Sequence, residues 1–266
     1  MKTKISLAGA TGWVGSALSK AISQSEEFVL VAAVARSSAG RRLGDVLGIP
    51  GLDLIVCSTV EEALSTDCDI FIDYTHPAVV NHHVRLAISR NIPVVIGTSG
   101  LAEEDFRELD ELARNHQVGV LAAGNFAITA VLLQRLAMLA AKYMPHWEVI
   151  DYSTAEKPDA PSGTAMELTS KLSQIRTPLL QYPIEHTHGQ KESRGATVNG
   201  TQIHSVRLPG FVFAFEIIFG LPDQRLVLRH EAGNSAEPYV AGTLLAAKNV
   251  TTFVGLKRGL DSIIKL

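Results

Sequence analysis

The segment Lys157 to Ala165, Lys-Pro-Asp-Ala-Pro-Ser-Gly-Thr-Ala, holds the residue types in this chain best suited to chemistry. A helix beginning here leaves its first backbone N–H groups without intrahelical partners, at the positive end of the helix dipole. Pro161 suits the start of such a helix because its missing N–H is not needed there. Ser162, Gly163 and Thr164 then offer N–H groups and two hydroxyls to an anion, and Lys157 adds a cation. That is a cradle for a carboxylate or a phosphate. The apolar positions from Ala165 to Leu172 recur at helical spacing, so the helix is predicted to run through them. The same pattern also fits a plain helix cap beside a solvated lysine, and the surrounding elements must weigh one against the other.

Those elements alternate in the first half of the chain. Ile5 to Gly9, Val29 to Val34, Asp69 to Tyr74, Val94 to Gly97 and Val118 to Ala122 read as strands, with helices around Val14 to Ser23, Val79 to Arg90 and Glu103 to Asn115. Strands separated by helices imply a parallel sheet covered on both faces. After Asn125 the pattern changes to a helix from Ile128 to Lys142, a strand from Glu148 to Tyr152, and the loop with its helix. A polar stretch from Gln181 to Thr201 is predicted as loop. Ile203 to Leu208, Phe211 to Phe219 and Arg225 to His230 are β-like, which predicts an α+β layout with a mixed or antiparallel sheet. The expected organisation is therefore α/β, a Rossmann-type parallel-sheet domain over residues 1–126 and an α+β domain over 127–237. A C-terminal segment, 238–266, returns to the first domain.

The first strand runs into Gly9-Ala10-Thr11-Gly12-Trp13-Val14-Gly15. Glycines at these points permit a tight turn, close approach of a pyrophosphate and close helix packing, and the turn stands between a strand and a helix as a dinucleotide site requires. Gly9, Thr11, Gly12, Trp13 and Val14 are the candidate contacts. The second strand ends without the Asp or Glu that holds an NAD ribose. It reads Val34-Ala35-Arg36-Ser37-Ser38, with Arg41 and Arg42 close behind. Arg36 and Ser37 suit a 2′-phosphate, which favours NADPH, with NADH possible. Turns at later strand ends place Tyr74, Thr75 and His76, then Gly97, Thr98 and Ser99, then Asn125 and Phe126, on the nicotinamide side of the same sheet edge.

With 266 residues, 46% hydrophobic and 19% charged, and a formal net charge of -3, the composition is that of a soluble globular chain and does not point to nucleic acid. The N-terminus runs into a strand rather than a signal-peptide core, and no apolar run reaches spanning length. Cys57 and Cys68 lack metal-ligand spacing and read as small buried hydrophobes. The chain is expected to be cytoplasmic, without a metal, and to act on a small molecule.

The chain resembles the dihydrodipicolinate reductase (4-hydroxy-tetrahydrodipicolinate reductase) family over almost its whole length. The resemblance rests on Gly9 to Gly15, Asp73 to Pro77, Val94 to Gly100, Gly124 to Phe126, Lys157 to Ala165 and Ile203 to Arg207. It implies a dinucleotide-binding domain, a substrate and tetramerisation domain with an open sheet, a homotetramer, and hydride transfer from NAD(P)H to a cyclic imine-type carboxylate in lysine and diaminopimelate biosynthesis. Lys157 matches the family's active-site lysine, and Ser162, Gly163 and Thr164 its carboxylate cradle.

The departures mark a divergent member. Ser153 and Thr154 stand where the family has a His-His pair, one of which is taken as the catalytic acid. Trp13 replaces a common cofactor-binding arginine, Phe213-Ala214-Phe215 replaces Gly-Glu-His, and the basic segment after His230 reads Glu231 to Ser235. Lys157 is then the expected proton donor, provided burial lowers its pKa. Glu156, Asp159, Tyr152, His76, His186 and His188 are candidates to assist. His204 and His230, on strands, read as core histidines. Three readings stay open: the family reaction; a divergent NADPH-dependent imine reductase or reductive aminase on a more apolar substrate, to which Phe213 and Phe215 would contribute aromatic surface; and a non-catalytic dinucleotide-binding protein.

Overall fold

The protein is described by a computed structural model covering residues 1–265. In chain order the elements are β1 (Thr3–Ala8), α1 (Trp13–Ser23), β2 (Phe28–Val34), α2 (Leu43–Leu47), β3 (Val56–Cys57), α3 (Val60–Ala63), β4 (Ile70–Asp73), α4 (Pro77–Ser89), β5 (Val94–Ile96), α5 (Glu103–Asn115) and β6 (Gly119–Ala122). There follow α6 (Ile128–Ala141), β7 (His146–Ser153), α7 (Gly163–Ser173), β8 (Ala196–Val198), β9 (Thr201–Arg207), β10 (Phe213–Leu221), β11 (Gln224–Ala232), α8 (Glu237–Val250) and β12 (Gly255–Arg258). The chain divides into two compact units, Met1–Ile128 with the segment from Ala236 onward, and Thr129–Ser235.

The first unit is built on a seven-stranded sheet in the order β12-β6-β5-β4-β1-β2-β3. Every pairing in it is parallel. Its central strands read as apolar runs because both faces are covered: Ile5, Leu7, Phe71, Ile72, Val94 and Val95 are all fully buried. The strand order reverses between β1 and β4, and a crevice opens at the C-terminal ends of strands at such a switch point. After α8 the chain adds β12 beside β6, with Gly255 to Arg258 in register with Gly119 to Ala122.

The second unit carries a five-stranded mixed sheet, β11-β10-β7-β9-β8. β7 alternates strictly between buried and half-buried residues, with Trp147, Val149, Asp151 and Ser153 on the buried face. β7 and β9 run parallel, because α7 and the stretch after it return the chain to the same end. That stretch, expected to be loop from Gln181 to Thr201, contains two single 3-10 turns, Ile184–His186 and Lys191–Arg194, and the short edge strand β8. No helix among the described residues is long and apolar enough to cross a membrane.

Candidate active site

Gly9 takes a positive φ of 82° at the end of β1, and a side chain there would place its Cβ 2.1 Å from the Tyr74 carbonyl oxygen. Gly15 lies in α1 against the same turn, where a Cβ would fall 1.9 Å from the Gly9 carbonyl oxygen. The turn therefore closes only with glycine at both points. No side chain caps the start of α1, so its leading N–H groups face outward at the positive end of the dipole, as a pyrophosphate requires.

Beside this turn lies a groove of about 870 Å³, lined among others by Gly9, Thr11, Arg36, Ser37, Thr75 and His76. Six of the residues expected to hold the cofactor thus share one wall. Glu61, His82 and His83 also line it, and spacing in the sequence did not single them out. Arg42 lies outside the lining and pairs with Asp53 at 3.1 Å. His76 is exposed and caps α4, its Nδ1 accepting from the Ala78 N–H at 3.2 Å.

The floor of the groove is organised by a residue not predicted as functional, Asp73, which is wholly buried. Its Oδ1 accepts from the Thr75 N–H (3.0 Å), the Thr75 hydroxyl (2.7 Å) and the Thr98 hydroxyl (2.6 Å), while Oδ2 faces His83 Nδ1 at 2.8 Å. Tyr74 and Phe126 pack against each other. Phe126 is buried with its ring centroid 5.9 Å from that of Tyr74, and the Tyr74 hydroxyl meets Thr243 Oγ1 at 2.7 Å. Burial pushes the Tyr74 phenol well above its ordinary pKa. Asn125 turns inward to accept from the Ala127 N–H at 2.8 Å. Gly97, Thr98 and Ser99 follow β5, and Trp13 is largely exposed with its ring edge toward Tyr239.

In the second unit Ser162 is the N-cap of α7, its hydroxyl oxygen accepting from the Ala165 N–H at 3.3 Å. Its own N–H donates to Asp151 Oδ2 at 2.8 Å, and the residue is buried. Ser162 thus shapes the helix start, and the groups facing outward are those of Gly163 and Thr164, exposed and half-buried respectively. Lys157 is not buried: a third of its side chain is exposed and its ammonium lies 2.8 Å from Asp159 Oδ1. The full burial expected for it is not found, and the ammonium holds the Asp159 carboxyl below its ordinary pKa.

A family model described as dihydrodipicolinate reductase, N-terminus, matches residues 3–126, and one described as dihydrodipicolinate reductase, C-terminus, matches residues 129–262. The chain belongs to the dihydrodipicolinate reductase family. It is 37% identical over 266 residues to a 4-hydroxy-tetrahydrodipicolinate reductase of Desulfitobacterium hafniense (strain DSM 10664 / DCB-2), covering 99% of both chains. It is likewise 37% identical over 262 residues to one of Bacillus mycoides (strain KBAB4), covering 98% of each. The structure matches a dipicolinate-bound dihydrodipicolinate reductase from Paenisporosarcina sp. TG-14 with a TM-score of 0.90 and 31% identity, over 99% of this chain and 100% of that one. An amine dehydrogenase from Mycobacterium smegmatis shares the fold alone, at a TM-score of 0.69 and 14% identity over 100% of this chain and 97% of that one. The family consists of oxidoreductases that work with a nicotinamide dinucleotide on a small molecule.

The positions that depart from the family pattern have definite places in this fold. Ser153 is buried at the end of β7 and its hydroxyl donates to the Val212 carbonyl at 3.1 Å. Thr154 is half-buried. Phe215, expected to add aromatic surface to a pocket, is wholly buried, and with Phe213 it encloses His230 at centroid distances of 5.5 and 5.9 Å. His230 is a core histidine, its Nδ1 2.9 Å from Thr129 Oγ1. His204 is only half-buried and faces Glu148 at 2.7 Å, so the core reading fails for it. His186 and His188 are exposed, and no group of His, Cys, Asp and Glu among the described residues could hold a metal.

Proposed function

We propose that this chain is a 4-hydroxy-tetrahydrodipicolinate reductase that uses NADPH. The end-to-end identity of 37% to curated enzymes of that name carries the reading. The second unit supports it by retaining the lysine and the outward helix N-terminus within one loop. When bound, the dihydronicotinamide supplies a hydride to the carbon of a C=N or conjugated imine. The rest falls to residues of this chain.

Arg36 and Ser37 would bind the 2′-phosphate at the end of β2, where Ala35 leaves no carboxylate to repel it. Trp13 and Val14 would present N–H groups to the pyrophosphate, the Gly12 N–H being held by the Gly9 carbonyl at 2.9 Å, and the Asp73 network would hold Thr75 and Thr98 in place beneath the ring. Gly163 and Thr164 would bind a substrate carboxylate through N–H groups and the Thr164 hydroxyl. The Lys157 ammonium carries the proton for the atom that gains electrons, and Asp159, 2.8 Å away, aims it. Of the two positions of the histidine pair, Ser153 has its hydroxyl engaged by the Val212 carbonyl. The reading also takes the enzyme to be a cytoplasmic homotetramer. The half-buried or exposed apolar residues Ile150, Ile218 and Val227, on the face of the second sheet opposite Trp147, support subunit contact there.

The test is NADPH oxidation with the product of dihydrodipicolinate synthase supplied in a coupled assay. Turnover that requires Lys157 is the expected result. Oxidation with other cyclic imines and none with this substrate would replace the reading with that of a divergent imine reductase.

A further inference from the structure

Asp151 and Arg207 sit on neighbouring strands, β7 and β9, beneath the loop that carries Lys157. Asp151 is wholly buried and the Arg207 side chain is 15% exposed. Asp151 Oδ2 accepts from Arg207 Nη2 at 2.7 Å and from the Ser162 N–H at 2.8 Å. The same Nη2 donates to the Asp159 carbonyl at 2.8 Å, and Nη1 donates to the Asp151 carbonyl at 3.2 Å. Both ends of the turn from Asp159 to Ser162 are therefore tied to one ion pair, a carbonyl to the cation and an N–H to the anion.

An ion pair placed only for stability gains little over well-packed apolar residues, because removing two charges from water offsets most of their attraction. This pair is also incompletely satisfied: Asp151 Oδ1 and Arg207 Nε are buried with no hydrogen-bond partner among the described residues. What it does achieve is to fix two backbone groups of the loop. One belongs to Asp159, which holds the Lys157 ammonium, and the other to Ser162, the residue before the outward Gly163 and Thr164.

We propose that Asp151 and Arg207 are positioning residues that clamp the loop, setting Lys157 and the α7 N-terminus in the geometry that receives a substrate carboxylate. The inference rests on the reductase reading and names the device that builds its substrate site. A guanidinium is required because it must reach a carbonyl and a carboxylate at once, which an ammonium on a flexible stem does poorly.

The experiment compares the full-length wild type with Arg207→Lys and Arg207→Ala, using pyridine-2,6-dicarboxylate as the probe ligand with NADPH present. Arg207→Lys is expected to weaken dicarboxylate binding and raise the substrate KM by the same factor, about tenfold, with a smaller fall in kcat. NADPH affinity stays at the wild-type value. Added guanidinium restores part of the loss in Arg207→Ala, and amide hydrogen exchange at Ser162 accelerates in both variants. Unchanged exchange at Ser162 with wild-type dicarboxylate affinity in Arg207→Lys overturns the clamp. If the wild type neither turns over the substrate nor binds the dicarboxylate, the reductase reading fails, and the Ser162 exchange comparison still decides whether Arg207 holds the loop.

Discussion

The Ser153 hydroxyl donates to the Val212 carbonyl at 3.1 Å, tying the end of β7 to the approach to β10. A position where the resemblance implies a histidine is thus part of the sheet here. Restoring the pair should have unequal effects. Ser153→His forces an imidazole into a buried site and is expected to cost about 1–3 kcal/mol of stability, read as a lower Tm. Thr154→His, at a half-buried site, is expected to leave Tm nearly unchanged and to raise turnover at acidic pH, with a new titration near 6.5 in the pH–rate profile. Identical profiles for Thr154→His and wild type would show that this position does not reach the reacting atoms.

Lys157 and Asp159 can be separated by substitution. Lys157→Ala is expected to lower kcat by about 10²–10⁴, the usual range for a lost general acid, with NADPH affinity unchanged. Asp159→Asn should have a milder effect, because Lys157 remains in the loop and loses only the partner that orients it. The sign of the pH effect follows from the depressed Asp159 pKa: the ion pair is intact above the ordinary carboxylate range and is lost as pH falls through the lower folded value. Both chains should therefore share the same pH dependence between 5 and 9. An acid limb in that range that disappears in Asp159→Asn would contradict this assignment.

The elements legible from sequence are those whose apolar period runs long enough to be counted. α5 begins and ends where its pattern does, and β1, β2 and β4 to β6 each fall within a residue or two of expectation. β3, at two residues, and α3, at four, are too short for any period to emerge. The glycine turn was legible because Gly9, Gly12 and Gly15 stand within a few residues of one another between a strand and a helix, although the carbonyl that crowds Gly9 comes from Tyr74 at the end of β4. The engagement of Ser162 by Asp151, the Asp73 network and the burial of Phe215 were not. Each depends on a partner brought close by sheet register, and a local spacing rule carries no information about that. Aromatic substitution at Phe213 and Phe215 looked like pocket lining for this reason, since inward and outward faces of a strand cannot be told apart without its neighbours.

Arg36 offers the sharpest test of cofactor choice. It lines the groove beside Ser37, and no acidic residue follows β2 to hold a ribose hydroxyl pair. Losing a charge-assisted bond to a phosphate costs about 1.5–3 kcal/mol, which corresponds to roughly tenfold to hundredfold in affinity. Arg36→Ala should weaken NADPH binding by that factor and leave NADH binding nearly unchanged, with the ratio measured by fluorescence titration. Equal losses for both cofactors would mean that Arg36 supports the groove rather than reading the 2′-phosphate.

His230 should give the fold a specific acid sensitivity. The residue is 4% exposed, its ring enclosed by Phe213 and Phe215, and burial lowers its pKa below the ordinary value of about 6.5 despite the neighbouring Glu231. Below pH 6.5 the unfolded chain therefore takes up a proton that the folded chain refuses. Stability contributed by the neutral ring is fully present above that value and is lost progressively as pH falls toward the folded pKa, with a slope of at most about 1.4 kcal/mol per pH unit. A series of Tm measurements from pH 8 to pH 5 should show a decline that begins near 6.5 in the wild type and is shallower in His230→Gln. The variant is less stable overall, because its amide is buried among aromatic rings, but the difference between the two chains should narrow as the pH falls. Parallel curves would show that the ring takes up its proton equally in both states.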